Sequence, residues 1–329
     1  MTAATFSSSF MHYFDQSQQW LFESMVQPLL YAVGMTELVE PGFDATMWVM
    51  IGVLQILLLL VVFCSLEKWR PVEPVIDKKQ IRIDMIYTFI HRMGVFRLVL
   101  FFSLAPIFDS VMSFINMKGF TPFQLDALWP GVSDIPWVSL VIYLLIFDLV
   151  DYFYHRAQHR YAWFWSLHAV HHSQRQMTVF SDNRNHLLDD VMRDSVLVLV
   201  SYLIGVSPGQ FVMIVVITQL IESLSHANLR ISFGKWGERL VVSPRFHRHH
   251  HSIEYDASTS GPAGGYNFAV LFPVWDILFK TARWNAEYAA TGIHDQIADP
   301  LTGRPARDYG QTFWAQQRLA LKSMFKGLA

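Results

Sequence analysis

His155-Arg-Ala-Gln-His159 and, eight residues later, His168-Ala-Val-His171-His172 follow directly on an apolar run from 135 to about 153. Far downstream, His247-Arg248-His249-His250-His251 repeats the spacing of the second group. The chain holds 14 histidines, and 11 of them lie between residues 155 and 251. On a helix, positions i, i+3 and i+4 share a face. His155 with His159, His168 with His171 and His172, and His247 with His250 and His251 are therefore each expected to present their nitrogens to one point. In that register His249 points away. Neutral imidazole suits iron, zinc, copper and nickel and brings no charge into a site of low dielectric. A pair of histidines on one helix is often a solvated face, but three clusters of matching spacing are not. Eight such ligands exceed the about four to six that one first-row ion takes, so two ions are expected. The Glu-x-x-His pairs of carboxylate-bridged di-iron bundles have no counterpart here, which makes this a histidine-rich dinuclear site of another kind.

The surrounding sequence belongs in a bilayer. Of 329 residues, 52% are hydrophobic and only 16% charged, against about 45–50% and ~25% in soluble chains. Mean hydropathy is +0.27. Residues 47–66, 94–116 and 135–153 are apolar at about the length that spans a membrane core. A fourth apolar stretch, 195–221, is broken by Gly205-Val-Ser-Pro208-Gly209 and reads as a helical hairpin of two short halves, dipping in and returning. Such a hairpin keeps all histidine clusters on one side. Lys68, Arg70, Lys78, Lys79 and Arg82 follow the first run, whereas segment 117–134 carries only Lys118. The positive-inside rule then places 67–93 and everything after 155 in the cytoplasm. The expected fold is an all-α integral membrane protein: three full transmembrane helices plus a hairpin, with a cytoplasmic histidine-rich helical cap.

The expected organisation is an N-terminal segment 1–46, transmembrane helices over 47–153, a catalytic region 145–282 that includes the hairpin, and a C-terminal cytoplasmic tail 283–329. Trp20, Leu21, Met25, Leu29 and Leu30 form one side of an interfacial helix interrupted by Pro28, or of a loosely packed one. The tail helix 311–326 is read as lying against lipid. The first basic residue is Lys68, so a cleavable signal peptide is not expected. Cys64 is the single cysteine and lies in an apolar run, so neither a disulfide framework nor a CxxC site is expected. The formal net charge of −2 gives no reason to expect nucleic acid.

The clusters resemble the histidine boxes of the fatty acid hydroxylase and sterol desaturase superfamily. Asp151-Tyr-Phe-Tyr-His155-Arg is similar to the lead-in to its first box. Ser225-His226-Ala227-Asn228 resembles its His-x-Asn element, and Pro244-Arg-Phe-His247 its lead-in to the last box. Gly265-Tyr-Asn267 and Trp275-Asp276-Ile-Leu-Phe279 resemble its closing motifs. The resemblance covers about residues 145–282. It implies two iron ions on the cytoplasmic face, with O2 as co-substrate and two electrons spent on a lipid C–H bond. It adds His226 as a ligand and also His186, in Asn183-Arg184-Asn185-His186; for His186 a hydrogen-bonded supporting role stays open. Leu187-Leu188-Asp189 departs from the Pro-Leu-Glu that commonly follows that element, and Lys280 stands where the family usually has Gly. Glu222 occupies a position where some members carry another histidine; it reads as a ligand, an acceptor for one, or the polar end of the hairpin.

Ligating histidines usually donate their second ring N–H to a carboxylate or carbonyl. Asp148 and Asp151 lie seven and four residues before His155, and an aspartate there is costly unless paired. They are expected to orient the first box; Asn228, Asn267 and Asp276 are further candidates. The resemblance implies a lipid hydroxylase or desaturase. The tail Lys-Gly-Leu-Ala is not an endoplasmic reticulum retrieval signal, so a bacterial cytoplasmic membrane is expected, or the endoplasmic reticulum if the source is a eukaryote. No flavin, NAD, heme or iron–sulfur motif is evident, so a separate reductase, ferredoxin or cytochrome is implied. The competing readings are a zinc hydrolase, a metal transporter and a metal-binding scaffold.

Overall fold

The computed structural model describes residues 3–93, 110–120, 123–132, 134–254, 265–285 and 287–326. Among them there is no strand, only isolated bridges between Ser252 and Thr291 and between Asp299 and Arg304. The chain divides into two compact units, one of residues 1–58 with 89–109, the other of 59–88 with 110–329.

In the first unit, α1 (Ala3–Leu21) and α2 (Gln27–Ala32) are joined by a π-helical turn, Phe22–Val26, and precede α3 (Val39–Leu58). The helix runs on through Pro28. A proline ring clashes with the carbonyl four residues back and offers that carbonyl no N–H; here the turn before it is widened to the π form. The Gln18 amide donates to the Phe43 carbonyl (3.0 Å), and the Phe22 and Phe43 rings meet edge-on at 5.3 Å. Gly52 faces the backbone of Arg92: a Cβ there would lie 1.6 Å from the Arg92 carbonyl oxygen. The Arg92 guanidinium donates to Gln55 (3.0 Å).

In the second unit, α4 (Cys64–Trp69) and α5 (Lys78–Arg92, whose last turn belongs to the first unit) are followed by α6 (Pro136–Arg160) and α7 (Ala162–His172). Next come α8 (Leu187–Leu203), α9 (Pro208–Ser225), α10 (Gly234–Leu240), α11 (Pro244–His250), α12 (Val274–Leu278) and α13 (Phe313–Lys326). Among the described residues, three helical stretches are long and apolar enough to cross a membrane: Thr36–Trp69, Pro136–Arg160 and Pro208–Ser225. The first two contain the expected runs 47–66 and 135–153. Of the expected run 94–116, residues 94–109 lie outside the described residues.

α8 and α9 form the hairpin, with arms of 17 and 18 residues rather than the short halves expected. Only the apolar part of α8 shows in the hydropathy; its first two turns carry Asp189, Asp190, Arg193 and Asp194, which extend the helix toward the histidines. The reversal uses Gly205, at φ 65°, and Ser207, which caps α9 ahead of Pro208. Arg193 on α8 and Glu222 on α9 meet at 3.0 Å, so the arms are antiparallel. The hairpin packs on α6 through Tyr143, Leu144 and Phe147 against Ile214, with Leu197, Val200 and Phe211 around them.

α13 is not a lipid-facing tail helix throughout. Its Phe313, Gln316, Gln317 and Ala320 are buried as it packs along α7. The Tyr87 hydroxyl donates to Gln316 (3.0 Å) and accepts from Gln317 (2.9 Å). The two glutamines give this face its partners inside the protein, while Trp314 and Phe325 on the other side stay exposed.

Candidate metal centre

α6 continues as one helix from the apolar run through Arg160, carrying His155 and His159 out along its buried face. Tyr161 leaves the helical region at φ −107°, ψ 122°, and the chain turns into α7. α9 ends at His226 as its C-cap. α11 starts under a Ser243 cap with Pro244 in its first turn and ends with His251 as C-cap.

These elements bring nine buried histidines into two groups. His155, His159, His168, His172 and His250 form the first, and His171, His226, His247 and His251 the second; within each group the ligand atoms lie within 4.8 Å of one another. The Nε2 atoms converge. His172 Nε2 lies 3.2 Å from that of His159 and 3.1 Å from that of His250. In the second group the corresponding distances are 3.1 Å for His226–His171, 3.0 Å for His247–His226 and 3.2 Å for His251–His247. With metal–nitrogen bonds of about 2.0–2.1 Å, ligands at a right angle stand about 2.9 Å apart and at a tetrahedral angle about 3.4 Å. The spacing found falls between these.

The spacing of the clusters does not aim all their nitrogens at one point. His168 and His172 serve the first group while His171 serves the second; His247 and His251 serve the second while His250 serves the first. Helical geometry accounts for this. Residues i and i+4 are about 40° apart around the axis, but i+3 and i+4 are about 100° apart. Each i, i+4 pair stays together and the histidine between swings to the neighbouring group. His249 joins neither group, and its ring lies 4.7 Å from that of Tyr266.

The groups fit a metal. His155 Nε2 and both ring nitrogens of His168 are buried without a hydrogen-bond partner. Nitrogens about 3 Å apart cannot all carry protons, and lone pairs facing each other need a cation between them. Burial, then the neighbouring imidazoles, holds His168, His171, His172, His247 and His251 well below the usual histidine range. Burial does the same to His250, ahead of His155. The neutral form is the one that binds metal. No carboxylate enters either group, so the donors are all imidazole, a set suited to iron, zinc or copper.

Three of the outer ring nitrogens are held by backbone. His155 Nδ1 lies 2.8 Å from the Phe268 carbonyl, His250 Nδ1 2.7 Å from that of Tyr266, and His226 Nδ1 2.7 Å from that of Glu222. The segment supplying the first two carbonyls is itself pinned by carboxylates. Asp148 accepts from the N–H groups of Val270, Leu271 and Phe272 (3.3, 2.8 and 2.9 Å), and Asp276 from those of Phe268 and Ala269 (2.9 and 2.8 Å). Asn267, in left-handed backbone at φ 59°, donates to the Phe246 carbonyl (3.0 Å) and accepts from Arg283 N–H (2.7 Å). Asp148, Asn267 and Asp276 thus reach the imidazoles through one layer of backbone. No sequence signal marks a carbonyl acceptor.

The structure places the remaining candidates elsewhere. Asp151 does not contact His155's outer nitrogen; it receives the Arg193 guanidinium twice, at 2.8 and 3.0 Å. Arg193 also donates to Glu222 (3.0 Å), so that side chain ties the hairpin to α6 and lies outside both groups. Asn228 accepts from Val72 and Glu73 N–H (3.1 Å each), anchoring the segment after α4. His186 is not brought to either group: Nδ1 accepts from Leu188 N–H (3.1 Å), capping α8, and Nε2 lies 3.1 Å from the Gln317 carbonyl. Both ring nitrogens are thereby occupied. A residue the spacing argument passed over is Asp189, 3.7 Å from His168 Nδ1. Burial lifts its carboxyl to about 6, leaving it ionised at neutral pH.

Beside the two groups lies a cavity of about 60 Å³, lined by His155, His168, His171, His226 and His247 together with Tyr154, Asp189, Arg193 and Glu222. It has room for a small molecule but not for an acyl chain.

Residues 140–281 match the family model for fatty acid hydroxylase, a stretch that holds all nine histidines. This segment is similar to fatty acid hydroxylase domains. The chain is 26% identical over 181 residues to ornithine lipid hydroxylase OlsE of Rhizobium tropici, covering 55% of this chain and 50% of the relative. It is 26% identical over 153 residues to alkylglycerol monooxygenase of Caenorhabditis elegans, covering 46% of this chain and 28% of the relative. The chain thus spans half or less of the curated relatives it matches. No solved structure matches.

Proposed function

We propose that the chain is a membrane-bound oxygenase that hydroxylates a C–H bond of a membrane lipid, with two iron ions held by the nine histidines. The observation that carries this is the pair of buried all-imidazole groups at the end of α6, within the segment that matches the fatty acid hydroxylase family model. Hydroxylation is favoured over desaturation because both relatives are named for oxygen insertion, one as a lipid hydroxylase and one as a monooxygenase. One oxygen atom of O2 enters the C–H bond and the other leaves as water, which takes two electrons and two protons per turnover. The electrons come from a separate reductase, ferredoxin or cytochrome.

Iron bound here supplies the redox chemistry that activates O2. The chain's own contribution is positional. The Phe268, Tyr266 and Glu222 carbonyls fix His155, His250 and His226 with Nδ1–H outward, so that Nε2 faces the centre. Burial keeps the imidazoles neutral and bulk water away. The small cavity admits O2, and the reacting carbon arrives from the bilayer side of α6 and the hairpin. We place the site on the cytoplasmic face of a bacterial cytoplasmic membrane, in keeping with the basic residues that follow the first span.

The test is O2 consumption by purified, iron-loaded protein with a chemical reductant and a lipid extract. Iron at about two per chain with lipid-dependent uptake supports the reading; stoichiometric zinc in active protein with no dependence on O2 contradicts it.

A further inference from the structure

We propose that Asp189 is a positioning residue for the first histidine group: its carboxylate accepts the Nδ1–H of His168 and so fixes which nitrogen of that ring faces the metal. This rests on the reading that the histidine groups hold metal, and not on the identity of the substrate.

Two other rings of the first group have a backbone partner. His155 and His250 each give Nδ1 to a backbone carbonyl, at 2.8 and 2.7 Å. His168 has no such carbonyl; both of its nitrogens are buried without a hydrogen bond. An imidazole 5% exposed with neither nitrogen satisfied is unfavourable, and a metal accounts for one nitrogen only. The other faces Asp189 Oδ2 at 3.7 Å, too long for a hydrogen bond but with the partner already in place.

Asp189 is built into that position. It is 4% exposed. Its Oδ1 accepts from the Tyr154 hydroxyl (2.9 Å) and its Oδ2 from the Gln158 amide (2.6 Å). Tyr154 and Gln158 immediately precede His155 and His159 on α6, so the carboxylate is referenced to the helix that carries two other members of the group. Asp189 also lies in the first turn of α8, where the helix dipole favours a negative charge. The result is a carboxylate–histidine–metal relay in the first group, whereas the outer nitrogens of His155, His250 and His226 meet neutral carbonyls. Such partners raise the basicity of the ligand and set its orientation.

The test titrates ferrous iron into metal-stripped, full-length protein and follows stoichiometry and affinity in wild type, Asp189→Asn, Asp189→Glu, His168→Ala and the His168→Ala/Asp189→Asn double variant. Asp189→Asn is expected to weaken one of two ions roughly 10–100-fold and to leave the other unchanged, with Asp189→Glu recovering most of the loss. His168→Ala is expected to weaken the same ion, and adding Asp189→Asn to it to change nothing more. Unchanged affinity for both ions in Asp189→Asn overturns the proposal. So does equal weakening of both ions, or a further loss in the double variant, since a merely structural role gives those results. A wild-type protein that takes up no metal overturns the metal reading and the proposal with it.

Discussion

The rings of His172 and His251 stack 4.2 Å apart, nearly parallel at 19°, although His172 belongs to the first histidine group and His251 to the second. The two groups therefore share a wall of imidazole rather than standing as separate sites. The groups still draw on different ligands, so the loss of one histidine is expected to fall on one group.

The second group has four histidines and the first has five. His226→Ala leaves three ligands, below the four that a tight first-row site normally uses, whereas His159→Ala leaves four. Iron analysis should show His226→Ala falling from about two ions per chain to about one, with His159→Ala retaining more metal. Equal retention in both would mean that the grouping is wrong.

Asp148 carries three backbone N–H groups of the segment that holds His155. In Asp148→Asn one acceptor oxygen becomes a donor facing the peptide groups. Leaving a buried polar group without its partner costs about 1–3 kcal/mol. Thermal unfolding of the metal-free protein should report a loss of that size. Iron affinity should also fall roughly 10-fold, through the displaced Phe268 carbonyl.

Lys280 adopts φ 60° just past α12, where the N–H of Thr281 returns to the Asp276 carbonyl (2.8 Å) and that of Lys280 to Ile277 (3.3 Å). This is a Schellman closure, whose left-handed residue is usually glycine. The Gly common in the family at this position thus has a backbone reason. Lys280→Gly should stabilise the protein by about 0.5–1 kcal/mol without altering metal content; an unchanged or lower melting temperature would contradict it.

The metal-free protein should be sensitive to acid. His168, His171, His172, His247, His250 and His251 are held below the usual histidine value in the fold, whereas in the unfolded chain they take up protons near pH 6.5. Below about 6.5 the unfolded state binds more protons, so stability is present above that pH and is lost as pH falls toward the depressed folded values. Metal-stripped protein should melt at progressively lower temperature from pH 7 to pH 5, and bound iron should oppose the loss. A flat profile would mean that the histidines are not buried neutral in solution.

The histidines were legible because helical spacing and a membrane setting leave them few other roles. The hairpin was legible from Gly205 to Gly209, but not its length, because the polar start of α8 looks like a loop to a hydropathy count. What stayed hidden were contacts that depend on tertiary backbone. Asp151 reads from its spacing as a partner for His155, yet the guanidinium of Arg193, 42 residues on, is the stronger claimant. His186 fits a motif but is consumed by a helix cap and the α13 backbone. Gln316 and Gln317 turn an amphipathic helix inward, which apolar periodicity alone does not reveal.

The most direct measurement is lipid mass spectrometry of cells with and without the protein, grown under isotopically heavy O2. The account predicts a membrane lipid that gains one oxygen atom, labelled from O2, in cells with wild-type protein, and no such lipid in cells with His226→Ala. Identical lipids in all cells, or an added oxygen that carries no label, would contradict it.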